Sequence, residues 1–196
     1  MTILGYVHVT YGKRPVTDVE NDIGEYAAWS TRDTFKASDD YYEESARIRI
    51  DGIFFDETPS DPEMLPYMSR VSRCAKRLLR GAKSGANGLV MLNPGVVVAP
   101  AYYDMADYVV AFEQAHEHWN ATRDEFLEGL GGRSRRQKTV VMVHTCPEEQ
   151  TEVEGLVGEV RKAGISGQFL TEQVNGGYSQ WPCWWSQYVD SVFLHQ

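Results

Sequence analysis

Three carboxylates in this chain follow directly on apolar runs. Asp56 and Glu57 end Ile50-Asp51-Gly52-Ile53-Phe54-Phe55, and Glu113 ends Val109-Val110-Ala111-Phe112. Runs this short, β-branched and aromatic read as strands buried on both faces. Charges left unpaired at the end of such a strand are costly. Two carboxylates on separate strand ends can stand across a sugar ring, one as a protonated acid for the leaving oxygen, the other as a nucleophile or base. Burial or a neighbouring like charge is what separates the two roles. The bland alternative is a helix-capping Asp56, a salt-bridged Glu57 and a surface Glu113. Consecutive strand residues point to opposite faces. Asp56 and Glu57 therefore share a site only if the strand has ended between them.

Other residue types add to or narrow this chemistry. His8 and His144 also end strands, where an imidazole can bond a substrate hydroxyl or simply be held by its neighbours. Asn93-Pro94-Gly95 is first a turn, with Asn93 as a candidate sugar-binding amide. Ala115-His116-Glu117-His118 lacks the spacing that puts two ligands on one helix face, so no metal site is expected. No GxSxG, P-loop or GxGxxG after a strand occurs, which argues against a serine hydrolase, an NTPase and a dinucleotide enzyme; no cofactor is expected. Tyr178 and the tryptophans near the carboxyl end are read mostly as core, with one or two rings free to stack on sugar. Asn120-Ala121-Thr122 is a glycosylation sequon with meaning only in a secreted protein.

Composition sets outer bounds. A net charge of -9 and a pI near 5.0 disfavour a phosphate-tracking surface, so no nucleic-acid partner is expected. No apolar stretch reaches the ~20 residues of a membrane span, and the amino terminus runs into a strand with no signal peptide ahead of it. Cys74, Cys146 and Cys183 lack CxxC spacing; one disulfide with a free thiol and three buried thiols are equally open.

Distant strand ends meet only if a frame gathers them, and the periodicity supplies about six strand–helix units. Residues 3–10 form the first strand, and Thr17-Asp18-Val19-Glu20 fits a capping box opening a helix through Ile23, Tyr26, Ala27 and Trp29. Residues 30–47 are a polar connection without period. After strand 50–56, Ser60 or Asp61 caps a helix with Pro62 in its first turn. That helix carries the stripe Met64, Leu65, Met68, Val71, Ala75, Leu78 and Leu79 and ends near Gly81. Strand 88–92 leads to a loop with Pro100, Tyr102 and Tyr103; strand 107–112 ends at Glu113. A helix over 119–130 and a solvated basic loop over 133–138 precede strand 139–143, which ends in His144-Thr145. A helix through Val153, Leu156, Val157 and Val160 closes at Gly164. Strand 165–170 is tipped by Thr171-Glu172, and a last helix carries Trp185, Val189, Val192 and Phe193. Strands alternating with helices predict a parallel sheet. Polar tips on nearly every strand favour a (β/α)8 TIM-barrel type of fold over a doubly wound sheet. Length fits one domain over 1–196.

Several stretches resemble the spherulin-4-like cell-surface proteins. They are Gly5-Tyr6-Val7-His8-Val9-Thr10-Tyr11-Gly12 with Arg14-Pro15, Asp51-Gly52-Ile53-Phe54-Phe55-Asp56-Glu57 and Leu92-Asn93-Pro94-Gly95. Ala106-Asp107-Tyr108-Val109-Val110-Ala111-Phe112-Glu113 and Val143-His144-Thr145 continue the order. The resemblance covers almost the whole chain. It implies a (β/α)8 barrel related to glycoside hydrolase family 135, whose members cut galactosamine-containing exopolysaccharide within the chain. It places the catalytic acids on Asp56, Glu57 and Glu113. Tyr6, His8, Tyr11, Asn93, His144 and Tyr178 are then the candidate substrate-binding residues, and an amino-sugar polysaccharide is the expected partner. The family carries about two further strand–helix units before the Gly-Tyr-Val strand, normally behind a signal peptide. The expectation is thus six of eight units, and an extracellular or cell-surface location. The rival reading is a non-catalytic carbohydrate-binding protein on the same fold, or an inactive shortened chain.

Overall fold

The structure, a computed structural model, describes residues 2–29, 49–79, 87–174 and 178–193. The expected connection over 30–47 and the helix end at Gly81 lie outside these residues. The chain divides into two compact units, Met1–Asn93 with Asp104–Asp107, and Pro94–Tyr103 with Tyr108–Gln196.

The first unit holds β1 (Leu4–His8), α1 (Val16–Trp29), β2 (Gly52–Asp56), α2 (Leu65–Leu78) and β3 (Leu89–Leu92). β2 pairs in parallel with β1, from Leu4 opposite Gly52 to His8 opposite Asp56, and with β3, from Gly52 opposite Leu89 to Phe55 opposite Leu92. Parallel neighbours need a crossover, and a helix supplies it. Ile53 and Phe55 are fully buried, as are Val19 and Ile23 of α1 and Met68, Val71 and Ala75 of α2. Gly52 is required by proximity, because a Cβ there would collide with the Leu89 carbonyl. Two outer carbonyls of β1 are taken by side chains of the same unit. Tyr26 Oη donates to Tyr6 O at 3.0 Å, and Arg14 Nη1 to His8 O at 3.1 Å.

Two expectations change here. The capping box at Thr17 is absent: α1 starts at Val16, and the Pro15 carbonyl accepts from the amides of Asp18 and Val19 at 3.1 and 3.3 Å. Thr17 therefore lies inside the first turn. Leu78 leaves the α2 stripe and is exposed, while Ser72 and Cys74 are buried.

The second unit holds the residues of α3 (Pro100–Met105) up to Tyr103, then β4 (Tyr108–Ala115), α4 (His116–Leu130), α5 (Arg133–Arg136), β5 (Thr139–His144), α6 (Gln150–Lys162), β6 (Gly167–Leu170) and α7 (Trp185–Phe193). β5 pairs in parallel with both β4 and β6. β4 does not end at Glu113. A register shift between Val110 and Phe112, a β-bulge, lets it run on to Ala115 opposite His144. The segment 100–105, read as loop, is a six-residue helix too short to show a period. The basic segment is not a solvated loop. Arg136 donates to the carbonyls of Gly131, Ala163 and Leu127 at 3.1, 3.2 and 2.9 Å, and Lys138 Nζ to Tyr103 O at 2.7 Å. On α7 the buried ring is Tyr188, with Trp184 just before the helix, while Phe193 is exposed. Tyr188 can be buried because its hydroxyl reaches Gln168 O at 2.8 Å.

The described residues thus form an α/β fold whose six strands alternate with helices, each parallel to its partners within its unit. None of the described helices is long and apolar enough to cross a membrane.

Candidate functional site

β2 ends at Asp56, and Glu57 has φ +52°, the left-handed region that non-glycine residues rarely occupy. The strand has therefore stopped before Glu57, which removes the objection that the two carboxylates must face opposite ways. Three donors converge on Asp56. Tyr6 Oη reaches Oδ2 at 2.7 Å, while Asn93 Nδ2 and the Glu57 amide both reach Oδ1 at 2.9 Å. Charge-assisted bonds of this kind are short and strong.

The donors are themselves held. Tyr6 belongs to β1 and stacks on Phe54 of β2 with ring centroids 6.2 Å apart. Asn93 is buried just past β3, its amide bonded to Phe55 O at 2.8 Å and its carbonyl taking the Thr58 amide at 2.9 Å. Buried Thr58 folds its hydroxyl back onto Phe55 O at 3.0 Å. Beside this group, His8 Nδ1 lies 3.0 Å from Thr10 Oγ1 and 3.9 Å from Glu57 Oε2. Tyr11 is exposed, and its amide bonds Glu57 O at 2.7 Å. Thr10 and Tyr11 share the left-handed conformation, at φ +49° and +52°.

The second unit builds a matching set around Glu113. Tyr178 Oη donates to Glu113 Oε1 at 2.8 Å, and its ring packs edge-on to Phe169 of β6. The Glu113 amide bonds Gly95 O at 3.1 Å. At the end of β5, His144 Nδ1 lies 2.9 Å from Thr145 Oγ1, and Thr145 has φ +53°. The Thr145 amide bonds Gln173 O at 2.9 Å, which ties the ends of β5 and β6 together. Cavities of about 310, 490 and 540 Å³ in this unit lie against α4, α6 and α7, and Glu113, His144 and Tyr178 line none of them.

Asp56, Glu57, Tyr6, His8, Tyr11 and Asn93 are thus brought together in the first unit, and Glu113, Tyr178 and His144 belong to the second. Tyr6, Asn93 and Tyr178 spend hydrogen bonds on carboxylates. Sequence reasoning missed Thr10, Thr58 and Thr145 as partners, although His-Val-Thr and His-Thr at two strand ends were the signal. Among the described residues no group of three His, Cys, Asp or Glu side chains has the geometry to hold a metal ion. His118 instead stacks on Phe112 and His116 lies 3.3 Å from the Asn120 amide. The three cysteines are free thiols, Cys74 and Cys146 buried and Cys183 exposed. Burial pushes the Cys74 thiol up, and the Cys146 thiol up to about 12.

A model of the spherulation-specific family 4 matches residues 1–192. The chain belongs to this family. A curated member-like relative, spherulin-4 of Physarum polycephalum, is 31% identical over 113 residues, which is 58% of this chain and 27% of that protein. The match therefore spans about a quarter of that relative's length. Among solved structures, Sph3 of Aspergillus clavatus, crystallised in complex with GalNAc, superposes with a TM-score of 0.74 at 28% identity, covering 97% of this chain and 72% of that one. The strand–helix order described above is thus a spherulin-family fold similar to that of Sph3.

Proposed function

We propose that this spherulin-family chain is a glycoside hydrolase acting within galactosamine-containing exopolysaccharide, on a (β/α)8-type frame. The observation that carries the reading is the convergence of a phenol, a carboxamide and a backbone amide on Asp56, where β2 gives way to Glu57. Such an arrangement holds a carboxylate in one orientation before substrate arrives. The roles of general acid/base and nucleophile are assigned to Asp56 and Glu113, with Glu57 in support. Exposed Tyr11, half-exposed His8 and His144 offer donors to sugar hydroxyls. The complex of Sph3 with GalNAc supports an amino-sugar ligand, and a cell-surface or secreted location goes with a polymeric substrate.

The test is release of reducing ends from a galactosamine polymer by wild type, Asp56→Asn and Glu113→Gln. Loss of release in both variants, with the polymer still bound, is expected. Full release by either variant overturns the assignment. Binding without release by wild type turns the reading to the carbohydrate-binding alternative, which spherulin-4 kinship equally allows. The anomer first released, read by NMR, then separates retention from inversion.

A further inference from the structure

The segment after β6 carries an aromatic side chain whose position the core does not explain. Trp181 is 71% exposed, the most exposed large apolar side chain among the described residues. A tryptophan left in water forgoes the burial that usually justifies so large a ring. Yet its place is well defined. Two side chains at the tip of β6 latch the backbone on either side of it: Gln173 Oε1 accepts the Ser179 amide at 2.9 Å, and Glu172 Oε1 accepts the Cys183 amide at 3.0 Å.

Its ring is also propped from one side. Trp181 and Trp185 centroids are 4.5 Å apart, Trp185 and Tyr188 5.6 Å, and Trp184 and Tyr188 5.8 Å. The series ends in buried Tyr188, fixed by its hydroxyl to Gln168 O of β6. One flank of the Trp181 indole is therefore backed by a cluster of tilted aromatic rings and the rest meets solvent. The same short segment carries Tyr178, whose hydroxyl is on Glu113.

We propose that Trp181 is a stacking platform for a galacto-configured hexosamine ring, a subsite for a sugar beyond the one at Glu113. A galacto-configured pyranose has an axial O4, which leaves the hydrogens on C3, C4 and C5 together on one face. That apolar face lies flat on an indole, which exposes a rigid ring at little entropic cost. This inference rests on the glycosidase reading and adds a residue to its substrate path. The platform binds, and does not take part in bond breaking.

The experiment has two readouts. Affinity electrophoresis through gels containing a galactosamine polymer measures binding by wild type, Trp181→Ala and Trp181→Phe. Release of reducing ends from a short oligosaccharide and from the long polymer measures hydrolysis. A stacked ring contributes about 0.5–1.5 kcal/mol, roughly two- to tenfold in affinity. Trp181→Ala should bind the polymer that much more weakly and raise KM on the polymer by the same factor. Its kcat and its hydrolysis of the short oligosaccharide should stay at wild-type values. Trp181→Phe should recover most of the lost affinity, and equal melting temperatures would show that all three proteins fold. Equal retardation of wild type and Trp181→Ala, or absence of retardation in wild type, overturns the platform. Hydrolysis of the short oligosaccharide is untouched by that result, and its absence in wild type overturns the glycosidase reading instead.

Discussion

The two units solve one problem with different parts. In the first, Asp56 is held by Tyr6 from the paired strand β1, by Asn93 just past β3 and by the next backbone amide, all set within or beside the parallel ladder. In the second, Glu113 takes its phenol from Tyr178, 65 residues further on and outside any strand or helix. A donor on a strand moves with the sheet; a donor on a connecting segment depends on whatever ties that segment down. Here the ties are the Glu172 and Gln173 latches. The first unit therefore offers a carboxylate held from within its sheet, and the second one held from a connecting segment tied by two side-chain latches.

The largest effect expected from breaking this contrast is removal of the carboxylates. Asp56→Asn and Glu113→Gln should each lower polymer hydrolysis by about 10²–10⁴-fold, the usual weight of an acid/base group. Next come the phenols. A hydrogen bond to a charged group contributes about 1.5–3 kcal/mol, so Tyr6→Phe and Tyr178→Phe should each lower kcat/KM by roughly ten- to a hundredfold. The contrast predicts where the loss falls: in kcat for Tyr6→Phe, and partly in KM for Tyr178→Phe, with faster amide hydrogen exchange around residues 178–184. The same split for both variants would erase the distinction.

Smaller effects separate scaffold from site. Arg136→Ala leaves the carbonyls of Gly131, Ala163 and Leu127 without their guanidinium, which should cost about 1–3 kcal/mol in chemical denaturation. Arg136→Lys should recover little, because an ammonium cannot reproduce the planar fork. Neither change should alter the polymer hydrolysis proposed for the folded protein. The smallest effect is chemical. At pH 8 the Cys146 thiol, pushed up to about 12 by burial, is only about one part in ten thousand thiolate. Cys183 should take up iodoacetamide while Cys146 and Cys74 stay unlabelled by mass spectrometry until the protein unfolds.

Much of this was legible in residue order. Apolar and aromatic runs located the six described strands, and carboxylates and histidines at several of their ends pointed to the candidate site. The bulge in β4 was not legible: Ala111 reads as one more apolar residue, and only pairing with β5 shows that it is extra. The buried side of α7 was misread because a period counts apolar residues equally, whereas Tyr188 is selected by an acceptor on β6, distant in sequence. The role of Arg136 was hidden for a similar reason. A run of basic residues resembles a solvated surface until three carbonyls are found around one guanidinium. The donors to Asp56 were visible only as neighbours in motifs, since their aim depends on strand register.

Five residues in the described chain other than glycine adopt positive φ: Thr10, Tyr11, Glu57, Thr145 and Tyr178. The first four lie within three residues of a strand end, Tyr178 on the segment after β6, and each such conformation costs on the order of 1–3 kcal/mol. Glycine would relieve that penalty at any of them, so every one is a place where thermal robustness has been surrendered to keep a particular side chain. A more heat-resistant version of this protein is therefore nearest to hand at the very positions where it would be least useful.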